Sequence, residues 1–253
     1  MLVNDRKKPG KAGLFVSWAT PVALRPLMVL LMVAMSACTY ATKQSVVGAC
    51  PNSADSGILN FCEVTPGILW RGGKLDQHGA AWLMQHGVRT IINLELIRDD
   101  RAAFAAAPIS DAGVYEADYF RIRDWQPLAK WAPSILDDHI AHFLAMVSER
   151  PKPVYVHCLF GMDRTGVMIA AYRMLVEGVA TETAIAEMRA YQAPWFGANA
   201  KYLRALGPER RKQIERQRQH WIARLKPNAR IRCEQGRCVV GARQRSGRTT
   251  SSG

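Results

Sequence analysis

A cysteine, an arginine six positions later and a glycine between them lie in Pro153-Val-Tyr-Val-His157-Cys158-Leu159-Phe160-Gly161-Met162-Asp163-Arg164-Thr165-Gly166. By itself the cysteine–arginine pair is a weak signal in a chain with six cysteines and 34 lysines and arginines. Its surroundings make it specific. An apolar run leads straight into Cys158, Gly161 permits a tight turn, and a strongly apolar helical stretch begins at Thr165. A loop between a strand and a helix can turn successive backbone N–H groups inward, making an anion-binding nest that the helix N-terminus reinforces. Arg164 adds a planar fork suited to phosphate oxygens. The same positive field favours a cysteine thiolate. A thiolate beneath a bound phosphoryl group is an in-line nucleophile.

The pattern His157-Cys158-x-x-Gly161-x-x-Arg164-Thr165-Gly166 resembles the signature of cysteine-dependent protein tyrosine and dual-specificity phosphatases. The resemblance covers residues 66–195 and takes in Leu69-Trp70-Arg71-Gly72-Gly73 and Ile91-Ile92-Asn93-Leu94, which are similar to stretches common in the atypical bacterial and plant–fungal group. It implies Cys158 as nucleophile, and Arg164 as the residue that binds phosphate and stabilises the transition state. It implies that His157 orients the loop and that Thr165 donates its hydroxyl to the leaving thiolate. Leu159, Phe160, Gly161, Met162 and Asp163 complete the substrate-binding loop. Neither a metal nor a cofactor is implied. The resemblance also implies an aspartic acid on a mobile upstream loop as general acid. Asp124, in Arg121-Ile-Arg-Asp124-Trp125-Gln-Pro127, lies 34 residues before Cys158. Asp163 competes, since some phosphoinositide phosphatases of this superfamily carry an aspartate just before the loop arginine, and Asp118 is a third candidate.

Phosphoinositide-selective relatives often place lysines inside this loop, whereas Leu159, Phe160 and Met162 occupy the variable positions here. The expected substrate is therefore a phosphorylated protein or small phosphomonoester, with tyrosine or dual-specificity hydrolysis first and a phosphoinositide or inositol phosphate second. Arg71, Lys74, Arg121 and Arg123 are the cations available to the mouth of such a site. A non-catalytic phospho-binding module is the alternative of another class, but it calls for a broken loop. Arsenate reduction calls for a resolving cysteine inside the domain, and the sequence offers none there.

These residues need elements to hold them. Ile68–Arg71, Arg89–Leu94, Val114–Ile122 and Pro153–Val156 read as strands. Asp76–His86, Asp99–Ala107, Pro133–Arg150, Thr165–Glu177 and Thr181–Gln192 read as helices, the third with Ile135, Leu136, Ile140, Phe143, Leu144 and Val147 at helical spacing. Alternating strands and helices predict an α/β fold, a protein-tyrosine-phosphatase-like three-layer sandwich with a mostly parallel central sheet and helices on both faces. His139 and His142 share a helix face, but with no partner cluster they read as surface or core side chains. The Trp195-Phe196 pair reads as packing for the loop that follows.

The ends of the chain have another character. Of the formal charge of +13, residues 1–37 carry +4, residues 38–200 carry −3 and residues 201–253 carry +12. Basic residues followed by the apolar run from Pro26 to Ala37 read as a lipoprotein-type signal peptide over 1–37, ending in Met35-Ser36-Ala37-Cys38. Cys38 is then the lipidation site, and the mature protein an exported one held to the periplasmic face of a bacterial membrane; an ordinary signal peptide or an uncleaved anchor, with Cys38 incidental, is the alternative. Residues 38–65 read as a tether, 66–207 as the phosphatase domain, 208–240 as a basic helical extension and 241–253 as a disordered tail. In an oxidising compartment Cys50, Cys62, Cys233 and Cys238 can form two disulfides, most simply Cys50–Cys62 and Cys233–Cys238, among three possible connectivities. A zinc site is disfavoured because Cys50 and Cys62 are too far apart for a knuckle, and free thiols are the other alternative. The basic helix is a solvated face or a contact for an anionic membrane; export argues against nucleic acid.

Overall fold

The computed structural model describes residues 56–123, 132–191 and 197–242. In chain order these form β1 (Cys62–Thr65), β2 (Leu69–Gly72), α1 (Gln77–Gln85), β3 (Thr90–Asn93), α2 (Arg101–Ala105), β4 (Tyr115–Arg121), α3 (Pro133–Glu149) and β5 (Val154–His157). They continue with α4 (Asp163–Leu175), α5 (Thr181–Arg189), α6 (Gly197–Arg204), α7 (Pro208–Ile222), β6 (Ala229–Glu234) and β7 (Arg237–Ala242). One sheet runs in the order β1-β2-β5-β3-β4-β6-β7. Its four middle strands, β2, β5, β3 and β4, are parallel, and β1, β6 and β7 join antiparallel at the edges.

The middle strands are largely buried on both faces, as parallel strands covered by two helical layers are. Along β5 the side chains alternate. Val154, Val156 and then Cys158 face a layer with Ile140, Phe143, Val167 and Met168 of α3 and α4. Tyr155 faces a second layer with Leu83 and Met84 of α1, and Phe104 of α2. The expected three-layer α/β sandwich is therefore the observed one. α3 begins with Pro133, whose missing N–H costs nothing at a helix start. Its buried stripe is Leu136, Ile140, Phe143, Leu144 and Val147, while Ile135 is exposed and drops out of the expected apolar face.

α7 lies along α3, although Ile214 is its one buried residue. Specific contacts compensate for that thin stripe. Trp221 stacks on His142 with ring centres 3.8 Å apart and donates its indole N–H to Asp138 at 2.9 Å. Arg210 donates to Asp137 at 2.9 Å. His142 thus packs an interhelix contact, and burial pushes its imidazole down to about 4. Among the described residues no cluster of His, Cys, Asp or Glu could hold a metal, and no helix is long and apolar enough to cross a membrane.

Two boundaries differ from expectation. The tether ends earlier than residue 65: Ile58 and Phe61 are buried, with Phe61 edge-on to Trp70 and Trp82, and β1 is already a strand. The basic extension is not helical throughout, because residues 229–242 form a β-hairpin that pairs with β4. Ala229, Ile231 and Cys233 face inward while Arg230 and Arg232 face out. The turn uses two positive-φ residues, Gln235 and Gly236, as a tight hairpin requires. Cys233 and Cys238 stand opposite each other and are joined by a disulfide. Cys62 is also disulfide-bonded, and its expected partner Cys50 lies outside the described residues.

Candidate active site

Cys158 follows the last residue of β5, at the carboxyl end of the parallel strands where ligands of open α/β sheets bind. β5 lies between β2 and β3, so His157 is flanked by Gly72 on one side and Asn93 on the other. Cys158 is buried, 4% exposed, and is the free cysteine among the described residues. Residues 159–162 turn the chain into α4, whose first turn holds Asp163, Arg164 and Thr165.

Three consecutive carbonyls of this loop are held from outside. The Leu159 oxygen accepts from the backbone N–H of Lys74 at 3.2 Å. The Phe160 oxygen accepts from the Asn60 amide at 2.9 Å. The Gly161 oxygen accepts from the Arg71 guanidinium. In a trans peptide the N–H points opposite to the C=O, so the N–H groups of Phe160, Gly161 and Met162 face the concave side. That is the geometry of an anion nest. Gly161 itself has φ +66, and a Cβ on it would stand 2.4 Å from the carbonyl carbon and oxygen of Gly72 and 2.7 Å from the Gly73 nitrogen. The Gly72-Gly73 pair and Gly161 let two backbones touch, and Tyr155 secures the contact by donating to the Gly73 carbonyl at 2.6 Å.

Behind Cys158 sits a buried polar network. His157 Nε2 is 2.9 Å from Asp100 Oδ2, which also accepts from Asn93 Nδ2 at 2.8 Å and from the Tyr119 hydroxyl at 3.0 Å. Burial would draw the His157 imidazole down, but the Asp100 charge and their hydrogen bond outweigh it and hold the ring above its ordinary 6.5. Burial would raise Asp100, but the His157 charge and hydrogen bonds from His157, Asn93 and Tyr119 leave it below its ordinary 3.8. The protonated form of the imidazole next in sequence to the cysteine is thereby favoured.

The structure brings His157, Cys158, Leu159, Phe160, Gly161, Met162, Asp163, Arg164 and Thr165 into one strand–loop–helix unit. Thr165 is fully buried with its hydroxyl unpartnered among the described residues, Arg164 is half-buried, and Phe160 is exposed. Asp163 accepts from the Asn199 amide of α6 and occupies the first turn of α4, where an acidic side chain favours the helix dipole. Asp124 lies outside the described residues, as do Trp195 and Phe196. Asp118 is distant from the loop: it pairs with Thr90 near the start of the parallel strands, accepts from Arg150 and forms an ion pair with Arg230 at 3.5 Å.

Arg71 overturns its expectation as a cation at the mouth, for it is fully buried against the loop. Arg121 is turned to structural use, donating to the Arg98 carbonyl at 2.8 Å. Asn60, Asp100 and the role of Arg71 were not foreseen, because each meets the motif only through tertiary contact. The Asp99-Asp100 pair after an apolar strand is the sole sequence cue to the network.

Comparison with known proteins bears on the family and the fold. The dual specificity protein phosphatase TpbA of Pseudomonas aeruginosa (strain UCBPP-PA14) is 30% identical over 132 residues, which cover 52% of this chain and 54% of TpbA. The probable chloroplastic NAD kinase 2 of Oryza sativa subsp. japonica is 28% identical over 138 residues, 53% of this chain and 13% of that protein. The chain thus spans about half the length of the first relative and a small part of the second. The crystal structure of P. aeruginosa TpbA superposes with a TM-score of 0.50 at 21% identity, covering 70% of this chain and 98% of TpbA's, and shares its fold. The model of the family described as DSP-PTPase phosphatase fused to NAD+ kinase matches residues 58–202, from the segment before β1 into α6 and so over more than half of the sequence; the chain belongs to that family.

Proposed function

We propose that this chain hydrolyses phosphomonoesters through a phosphocysteine intermediate, with phosphotyrosine or dual-specificity protein substrates. The observation that carries the reading is the outward clamping of the Leu159, Phe160 and Gly161 carbonyls above Cys158. It leaves a ring of N–H donors where three phosphoryl oxygens sit, with Arg164 supplying two more donors. Cys158 Sγ attacks phosphorus in line, the S–P bond forms and the P–O bond to the leaving group breaks. Asp124 gives its proton to the departing oxygen, then accepts one from the water that cleaves the S–P bond, releasing phosphate and the thiolate. β4 supports this role, since it runs parallel to β5 through β3 and ends at Arg121, three residues before Asp124. Asp163, already engaged by Asn199, serves the loop instead.

Apolar Leu159, Phe160 and Met162 support an aryl ester over a polyanion, and a solved complex of TpbA with phosphotyrosine supports the same preference. The test is purified residues 39–253 with an aryl phosphate, phosphotyrosine peptides and phosphoinositides under reducing conditions. Turnover of the first two is expected, with Cys158→Ser inactive. An inert wild type or an active Cys158→Ser sinks the enzyme reading. Asp124→Ala should slow aryl phosphates with basic leaving groups far more than those with acidic ones; the same pattern in Asp163→Ala instead would reassign the acid.

We propose further that the chain is exported and lipid-anchored through Cys38, on the periplasmic face of a bacterial membrane. The Cys233–Cys238 disulfide and the bonded state of Cys62 support an oxidising compartment. Labelled fatty acid should enter the wild type and not Cys38→Ala.

A further inference from the structure

Arg71 is the feature that the mechanism leaves unused. It stands in β2 opposite Val156 of β5. Leu69 belongs to the apolar layer that contains Cys158, and Trp70 to the other. By strand alternation Arg71 therefore lies on the face of Cys158. It has no exposed surface. One Nη donates to the Gly161 carbonyl, and the Tyr191 ring centre is 3.9 Å from its Cζ. Among the described residues its Nε and other Nη are buried without a partner. Among the described residues it has no ion-pair partner, because Glu187 is held by Arg173 at 3.0 Å. Burial pulls the guanidinium down, opposed by Tyr191, Cys158, Glu187 and Tyr155. A buried cation without a counter-ion is costly, and an apolar side chain of similar volume would fill this space at lower cost. If support of the sheet were the only need, an arginine would be the wrong residue.

We propose that Arg71 is a positioning residue and the second cation of the anion site. It fixes the Gly161 carbonyl outward, so that the Met162 N–H faces the phosphoryl group, and it leaves a positive charge with no ion-pair partner among the described residues beneath the loop that receives the dianion. This rests on the reading of the loop as a phosphoryl site and deepens it. Arg164 embraces the oxygens as a fork, whereas Arg71 acts through the loop backbone and through its field in a medium of low dielectric. The unpaired charge is met when the anion binds, so that affinity depends on charge at position 71 as well as on a donor there.

The test uses tungstate, a phosphate-like oxyanion, titrated calorimetrically into wild type, R71K and R71Q, with aryl phosphate turnover measured in parallel. R71Q keeps a neutral donor and R71K keeps the charge on a single-point donor. R71K should bind about threefold more weakly and R71Q about tenfold more weakly or worse, with kcat/KM falling in the same order. Wild-type affinity in a folded R71Q overturns the proposal. Equal weakening in R71K and R71Q also overturns it, since a merely structural bond does not distinguish charge. If R71Q fails to fold, R71K decides: wild-type affinity overturns the role and a loss of about threefold upholds it. Tungstate binding without turnover in the wild type would defeat the hydrolase reading while the Arg71 comparison still stands. Turnover with an unaltered R71Q would defeat Arg71 alone. A wild type that binds no tungstate overturns both.

Discussion

At the scale of single residues, the His157–Asp100 pair controls what lies behind the nucleophile. His157 is wholly buried and Asp100 is 3% exposed, so neither charge is met by water. Removing one partner of a buried pair strands the other, which costs about 3–5 kcal/mol. Asp100→Asn should therefore lower unfolding free energy by about 3 kcal/mol, read from denaturant midpoints. The wild type should also show a plateau. The Asp100 carboxyl lies below 3.8 in the fold, so its contribution is present above 3.8 and lost as pH falls through the folded value. The His157 ring lies above 6.5, so its contribution is complete below 6.5 and lost as pH rises through the folded value. Stability from this pair is thus greatest between 3.8 and 6.5. Asp100→Asn should lose both shoulders; an unchanged pH profile would mean the pair is neutral.

At the scale of elements, the strand–loop–helix unit was legible because its parts are neighbours in sequence. The apolar run into Cys158, the glycine and the apolar helix after it announce a turn wherever they occur. The clamps were illegible for the opposite reason. Asn60 reaches Phe160 across 100 residues, Arg71 reaches Gly161 across 90, and Asp100 reaches His157 across 57. No periodicity connects such pairs. The hairpin of β6 and β7 was hidden by its own surface, since the arginines between Ala229, Ile231 and Cys233 made an alternating strand look like a continuation of the basic helix. The contact between loop and β2 gives a sharp test. Gly161→Ala puts a methyl into the Gly72 carbonyl and demands a left-handed conformation from alanine. The loop must move, and a displacement of about 1 Å at a reacting centre costs about 100-fold. A fall of that order in kcat/KM is expected, with a stability loss of about 1–3 kcal/mol in thermal melts. Retained activity would mean that the nest tolerates a different path.

At the scale of the whole molecule, chemistry and reinforcement are segregated within one sheet. The site sits on β5, between β2 and β3, while the disulfide closes the hairpin at the far edge, beyond β3 and β4. A crosslink spanning so short a stretch acts mainly by restricting the unfolded chain and is worth about 2 kcal/mol. Replacing both Cys233 and Cys238 by serine should lower the denaturation midpoint accordingly and leave aryl phosphate kcat unchanged. A matching fall in kcat would show that the edge hairpin reaches the site. The same layout accounts for the charge. The +12 of residues 201–253 lies on α7, the hairpin and the segments around them, so it is no guide to the substrate.

The clamped carbonyls bear finally on how the chain can be divided. Asn60, Arg71 and Lys74 all come from one short stretch, and its first part reads as dispensable linker. A fragment cut to begin at β2 would keep the whole cysteine–arginine motif, the parallel strands and both helical layers. It would lose Asn60, and with it the partner of the Phe160 oxygen, as well as Leu59, whose carbonyl holds the Gly73 N–H at 2.7 Å. The smallest piece that carries the signature is therefore smaller than the smallest piece that can shape it. Anyone grafting, splitting or trimming this catalytic unit should begin before Leu59 and not at the first parallel strand.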